Sequence, residues 1–144
     1  MSVDPYKTGL ITGNIFREKR DVTGKLVCLV DLILDSRGLK LISPKSRALL
    51  KHEIHELILT DEQDAGPDST VNRISTLGFF EVDNGGIVVV GDKIAVDGRV
   101  IGEIAGFDVT HMPNHINIVL KSNKLYRTVE LNLSLNQAVT MSPQ

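Results

Sequence analysis

The 144-residue sequence predicts a mainly β fold, a barrel or closed meander sheet in one domain, with one short α-helix near residues 44–52. Three observations point there. Apolar runs of strand length recur along the chain, bounded by Gly, Pro, Asn and Asp. Asn84-Gly85 and Asp97-Gly98 are dipeptides that accept the positive φ angles of tight hairpin turns. If Asp97-Gly98 is a two-residue turn, Val96 faces Arg99, Ala95 faces Val100 and Ile94 faces Ile101, so both faces of that hairpin carry apolar pairs. Such a hairpin is satisfied by closure into a small barrel, or by a helix or another subunit laid on one face.

Taken in order, residues 25–34 are apolar at both parities, which predicts a strand covered on both faces. Asp35-Ser36-Arg37-Gly38 reads as a turn into residues 39–42, its hairpin partner. Ser43 as N-cap and Pro44 at the first helical position predict a helix start. The spacing of Leu50, Ile54, Leu57 and Ile58 allows that helix to run to about residue 59. A short helix followed by a strand over 54–59 fits the β-rich remainder better. Residues 60–70 are acidic and lack large apolar side chains, so they form a solvated loop. Asp61, Glu62, Asp64 and Asp68 lack the spacing that wraps calcium. A meander follows: 79–82 joined to 87–90, 93–96 joined to 99–104, then strands over 116–121 and 125–133. Residues 139–144 read as a loose tail.

Composition narrows the function classes. A net charge of −2 supplies no basic field for phosphates, and six aromatic residues without Trp supply few stacking platforms, so nucleic acid is not an expected partner. Phe16-Arg17-Glu18-Lys19-Arg20 is a short basic cluster, but Glu18 and Asp21 dilute it. No apolar run approaches the roughly 18–20 residues of a membrane span, and the N-terminus has no signal-like apolar region. The single cysteine, Cys28, cannot form an internal disulfide and sits between apolar neighbours, which predicts an inert buried thiol in a reducing compartment. The expected location is cytoplasmic.

The residues that can carry chemistry are four histidines in two pairs. In His52-Glu53-Ile54-His55-Glu56 the spacing differs from the zinc-peptidase motif. On a helix His52, His55 and Glu56 share a face; on a strand the two histidines point apart. His52 and His55 are therefore a lesser metal candidate beside a plain polar surface. The second pair, His111 and His115, lies in Gly106-Phe107-Asp108-Val109-Thr110-His111-Met112-Pro113-Asn114-His115. Pro113 disfavours a continuous helix and places the pair on an inter-strand loop, where function usually sits. Asp108, His111 and His115 have the composition of a two-His, one-carboxylate set for a divalent metal. Alternatively, one histidine oriented by Asp108 serves as a general base, with Thr110 and Asn114 as further ligand contacts. The competing reading is a rigid turn in which Asp108 and Thr110 cap backbone amides and Asn114 takes a left-handed conformation.

The run Gly91-Asp92-Lys93-Ile94-Ala95-Val96-Asp97-Gly98, then Ile101-Gly102-Glu103-Ile104-Ala105-Gly106-Phe107-Asp108 and Thr110-His111-Met112-Pro113-Asn114-His115, resembles a family of small bacterial proteins with no assigned function. The likeness covers residues 91–120 and implies no activity, substrate or cofactor. Two readings follow from the residues. One is a homo-oligomeric β-rich domain that binds a small molecule or a metal, or serves as an accessory subunit. The other is a small metal-dependent or histidine-based enzyme acting on a polar metabolite, with Asp108, His111 and His115 at its site.

Overall fold

The structure, a computed structural model, describes residues 21–143; the basic cluster ending at Arg20 lies outside them. The described chain forms β1 (Val22–Leu34), β2 (Leu39–Lys40), β3 (Ser46–Leu49), β4 (Ile54–Thr60), β5 (Thr70–Val71), β6 (Ile74–Asn84), β7 (Gly86–Val89), β8 (Lys93–Val96), β9 (Arg99–Asp108), β10 (Asn117–Lys121) and β11 (Ala138–Ser142). Seven of these close a barrel in the order β1-β11-β8-β9-β10-β4-β6, with β6 returning to β1. Neighbours are antiparallel except β4 and β10, which run parallel. Two small ribbons, β2–β5 and β3–β7, attach outside the barrel.

Two-sided apolar strands are explained by two cores. Leu57 and Leu59 of β4, Ile118 and Leu120 of β10, and Phe107 of β9 fill the barrel with Leu26, Phe80, Val139 and Met141. Ile58 and Val119, at the opposite parity, and Ala105, at the register shift in β9, join Leu39, Leu41, Val71 and Ile74 in a second cluster on the outer wall. The segment around residues 39–42 is the cover. It is tied down by Ile42 N–H donating to Phe107 O at 2.9 Å and Leu41 N–H donating to Ser69 O at 3.0 Å. Gly106 permits the approach, since a Cβ there would lie 2.8 Å from Leu41 Cδ1. A second close approach sits at Gly78 in β6, with φ +150, where a Cβ would come 2.2 Å from Cys28 O of β1. There the β1–β6 ladder is irregular, and the buried hydroxyl of Thr128 fills the gap. It faces Val30 O, with Thr76 O at 3.1 Å and Leu77 O at 3.4 Å.

Several sequence expectations hold. The Asp97-Gly98 hairpin forms, with φ 49 and φ 81 at its two turn residues, Val96 opposite Arg99 and Ala95 opposite Val100. One residue further the ladder slips, so Ile94 faces Gly102 rather than Ile101. Residues 54–60 are a strand and 117–121 another, and 117–121 of β10 pair with 56–60 of β4.

Others are corrected. No helix exists among the described residues, and the short α-helix near residues 44–52 is replaced by β3, whose Ser46–Leu49 pairs with Val89–Gly86 of β7. The ladder to a distant strand outweighs the local capping signal, and the Ser43 hydroxyl donates to Asp68 Oδ1 instead of capping a helix. Leu39–Lys40 pairs with β5, not with β1, and Asn84-Gly85 links strands that pair elsewhere, β6 with β1 and β4, β7 with β3. Residues 125–133 are irregular chain and turn rather than a strand. Most of the tail expected at 139–144 belongs to β11, residues 138–142, which joins β1 to β8. Val27, Leu29, Leu32 and Ile33 are exposed, so β1 is not covered on both faces, and Cys28 is exposed rather than buried. Carboxylates of the acidic loop are spent on the chain itself: Asp61 pairs with Arg73, and Glu62 Oε2 accepts the Asn72 and Arg73 amides. Among the described residues no helix is long and apolar enough to cross a membrane.

Candidate functional site

One end of the barrel brings both histidine pairs together. Along β4, His55 shares parity with Leu57 and Leu59 and so faces the lumen, where it is buried. Its tautomer follows from its partners. Ile116 N–H donates to Nδ1 at 3.1 Å, so Nε2 carries the proton and donates to Glu53 Oε1, also at 3.1 Å. Glu53 Oε1 additionally accepts the Leu50 N–H at 2.8 Å. Burial pushes the Glu53 carboxyl up, but the Leu50 amide, the His55 hydrogen bond and the charges of His55 and Arg47 outweigh it and hold the group below its ordinary value. His52 sits just before, in a turn at φ 76, exposed and 3.5 Å from Glu81.

Glu56 points to the other side of β4. The ladders place Asp108 of β9, Asn117 of β10, Glu56 and Phe79 of β6 at matching registers, in one row across four strands. Asp108 is 2% exposed and fully engaged. Its carboxylate accepts the Thr110 N–H at 3.1 Å, the Thr110 hydroxyl at 3.0 Å and the Asn117 Nδ2–H at 3.2 Å. This clasp closes the base of the loop between β9 and β10. The loop, with its cis Met112-Pro113 bond, folds back over the row. His115 lands edge-on against Phe79, with ring centroids 5.2 Å apart, and His111 stacks on His115 at 5.0 Å.

His115 is held in one orientation by its Nδ1–H, which donates to Asn114 Oδ1 at 2.6 Å. That leaves Nε2 as a bare acceptor. It is buried, makes no hydrogen bond, and lies 3.7 Å from Glu56 Oε1. Burial lowers the His115 pKa from its ordinary value, helped by the charges of His111 and His55. Burial raises the Glu56 pKa, against opposing charges on His111 and Arg37. Both shifts favour a neutral imidazole beside a neutral carboxylic acid over an imidazolium–carboxylate pair. Asn117 Oδ1, next to Glu56 in register, is a second buried acceptor without a partner, so this patch is short of donors.

A cleft of about 600 Å³ opens beside these groups, lined chiefly by Arg47, Glu53, His55, Phe79, Met112 and His115. Of the residues expected from the sequence, His111, Asn114 and His115 come together with His52 and His55 around this mouth, while Asp108 and Thr110 bond to each other at the loop base. Among the described residues, no three His, Cys, Asp or Glu side chains group as metal ligands. Arg47, Phe79 and Asn117 escaped sequence reasoning, and Glu56 entered it only as a neighbour of His52 and His55 on a possible helix face. Glu56 and Asn117 did leave a trace, each being a polar residue beside a strongly apolar strand run, His55 aside.

No curated protein and no solved structure matches the chain. The profile of DUF6917, a family of unknown function, matches residues 16–142 and so takes in the barrel, the cleft and the resembling stretch within residues 91–120. The chain therefore belongs to the DUF6917 family.

Proposed function

We propose that this protein binds a small polar molecule in the cleft at the barrel mouth. The observation that carries the reading is a cleft lined by His115, whose ring is fixed by Asn114 and whose buried Nε2 is an acceptor lacking a donor. A bound molecule offering an O–H or N–H satisfies it, and a buried polar atom left unpaired is costly. The test is mass spectrometry of small molecules released when the purified protein is denatured, wild type beside His115→Phe. A compound recovered from wild type and lost in the variant supports binding; identical empty spectra, with no ligand found by thermal-shift screening, count against it.

A second reading, acid–base catalysis on that molecule, is favoured by Glu56 Oε1 lying 3.7 Å from His115 Nε2, a carboxyl shifted up and an imidazole shifted down, each chiefly by burial. Turnover of the recovered compound, abolished in Glu56→Gln, would separate an enzyme from a binding domain. Metal binding through Asp108, His111 and His115 predicts metal in wild type that is absent from the His111/His115 double variant by elemental analysis. Self-association is the use we propose for the exposed apolar residues of β1, Val27, Leu29, Leu32 and Ile33, and light scattering reads it directly. An exposed, unpaired Cys28 fits a reducing compartment such as the cytoplasm.

A further inference from the structure

Taking the cleft as a ligand site, we infer that it selects a small oxyanion, carboxylate or phosphate, through Arg47, with a hydroxyl or amine beside the anion donating to His115 Nε2. Arg47 belongs to β3 and its backbone is fixed opposite Val88 of β7. Its side chain is half-buried at the cleft, and its hydrogen bond runs from Nη2 to Met112 Sδ at 3.6 Å. A thioether is a weak acceptor for a group with five N–H donors. Among the described residues no carboxylate stands within ion-pair distance of Arg47. Glu53 is near enough to feel its charge, but Glu53 Oε1 is occupied by the Leu50 amide and His55 Nε2–H. A planar guanidinium with open donors on a concave wall is suited to bidentate anion recognition.

The rest of the lining completes the specification. Ile54, Phe79, Met112 and Pro113 offer apolar surface for a carbon body, and His115 Nε2 accepts a proton donor from it. Glu53 also lines this space, but its Oε1 is held by the Leu50 amide and the His55 Nε2–H, so the open donors on this wall are those of Arg47.

Four matched probes test this by titration in 1H–15N and 1H–13C spectra: 3-phenyllactate, 3-phenylpropionate, 3-phenyl-1,2-propanediol and phenyl phosphate. Phenyllactate is expected to shift the Arg47 Nε–H and His115 ring signals. Removing its hydroxyl or its carboxylate should weaken binding by about tenfold or more each. Arg47→Gln should weaken both acids by a similar factor and leave the diol unchanged, with Arg47→Lys in between. His115→Phe should erase the advantage of phenyllactate over phenylpropionate. Phenyl phosphate binding more tightly than either acid would assign the anion as phosphate. If the diol binds as well as the acids, or Arg47→Gln changes nothing, the anion inference falls and the ligand cleft stands. If no probe moves a cleft signal while a native compound is still released from the purified protein, the inference falls alone.

Discussion

Glu56 and His115 respond to pH in opposite senses although both are shifted first by burial. Glu56 titrates above its ordinary 4.5 in the fold, so the folded protein holds this proton longer than the unfolded chain. Its contribution to stability is complete below pH 4.5 and is lost as pH rises through the folded value. His115 titrates below its ordinary 6.5, so its contribution is complete above pH 6.5 and is lost as pH falls through the folded value. Glu56→Gln keeps the shape of the neutral acid and removes the titration. The variant should therefore gain on wild type as pH rises from 4.5 and then hold a constant advantage, read as melting temperature across pH 4 to 8. A difference that stays flat over that range would show that Glu56 ionises freely. At this scale the sequence was partly readable. The loop histidines stood out because His111 and His115 flank a proline, whereas Glu56 became informative only when β10 placed Asn117 beside it.

Among the elements, β1 and β6 depend on a residue from neither. Thr128 inserts its hydroxyl where their ladder slips and meets three carbonyl oxygens there. Thr128→Val keeps the shape and removes the donor, which should cost about 1–3 kcal/mol by urea unfolding, while Thr128→Ser should recover most of it. A valine variant as stable as wild type would mean that the carbonyls find other donors. Sequence patterns served elements whose signals are local. Asp97-Gly98 made its hairpin because the turn chemistry and the partner strands lie within a few residues. Ser43-Pro44 misled for the converse reason. The competitor was β7, some forty residues on, and no window around Pro44 contains it. Residues 125–133 misled through their apolar count, since Leu131 and Leu133 are buried from irregular chain and turn rather than from a strand.

For the molecule as a whole, closure is the decisive contact. β11, near the end of the described chain, joins β1, near its start, to β8, so the barrel has no free edge. A chain ended at Gln137 would expose unpaired strands on both β1 and β8. It should lose the dispersed 1H–15N spectrum and elute as aggregate by size exclusion; a monomeric, folded truncation would show that the ring tolerates opening. A closed sheet was foreseen from apolar pairs on both faces of one hairpin, but its order was not. Which strand meets which across the chain, including the parallel match of β4 with β10, is decided by fit between distant segments and leaves no mark in either one alone.

The clasp of Asp108 and Asn117 also bears on how such a protein changes over generations. It secures both ends of the β9–β10 loop with bonds that do not involve residues 111–115. Substitutions inside the loop can then redraw one wall of the cleft while the barrel keeps its register. The shape of the cleft wall is thereby uncoupled from what must fold, and a new cleft needs no new architecture.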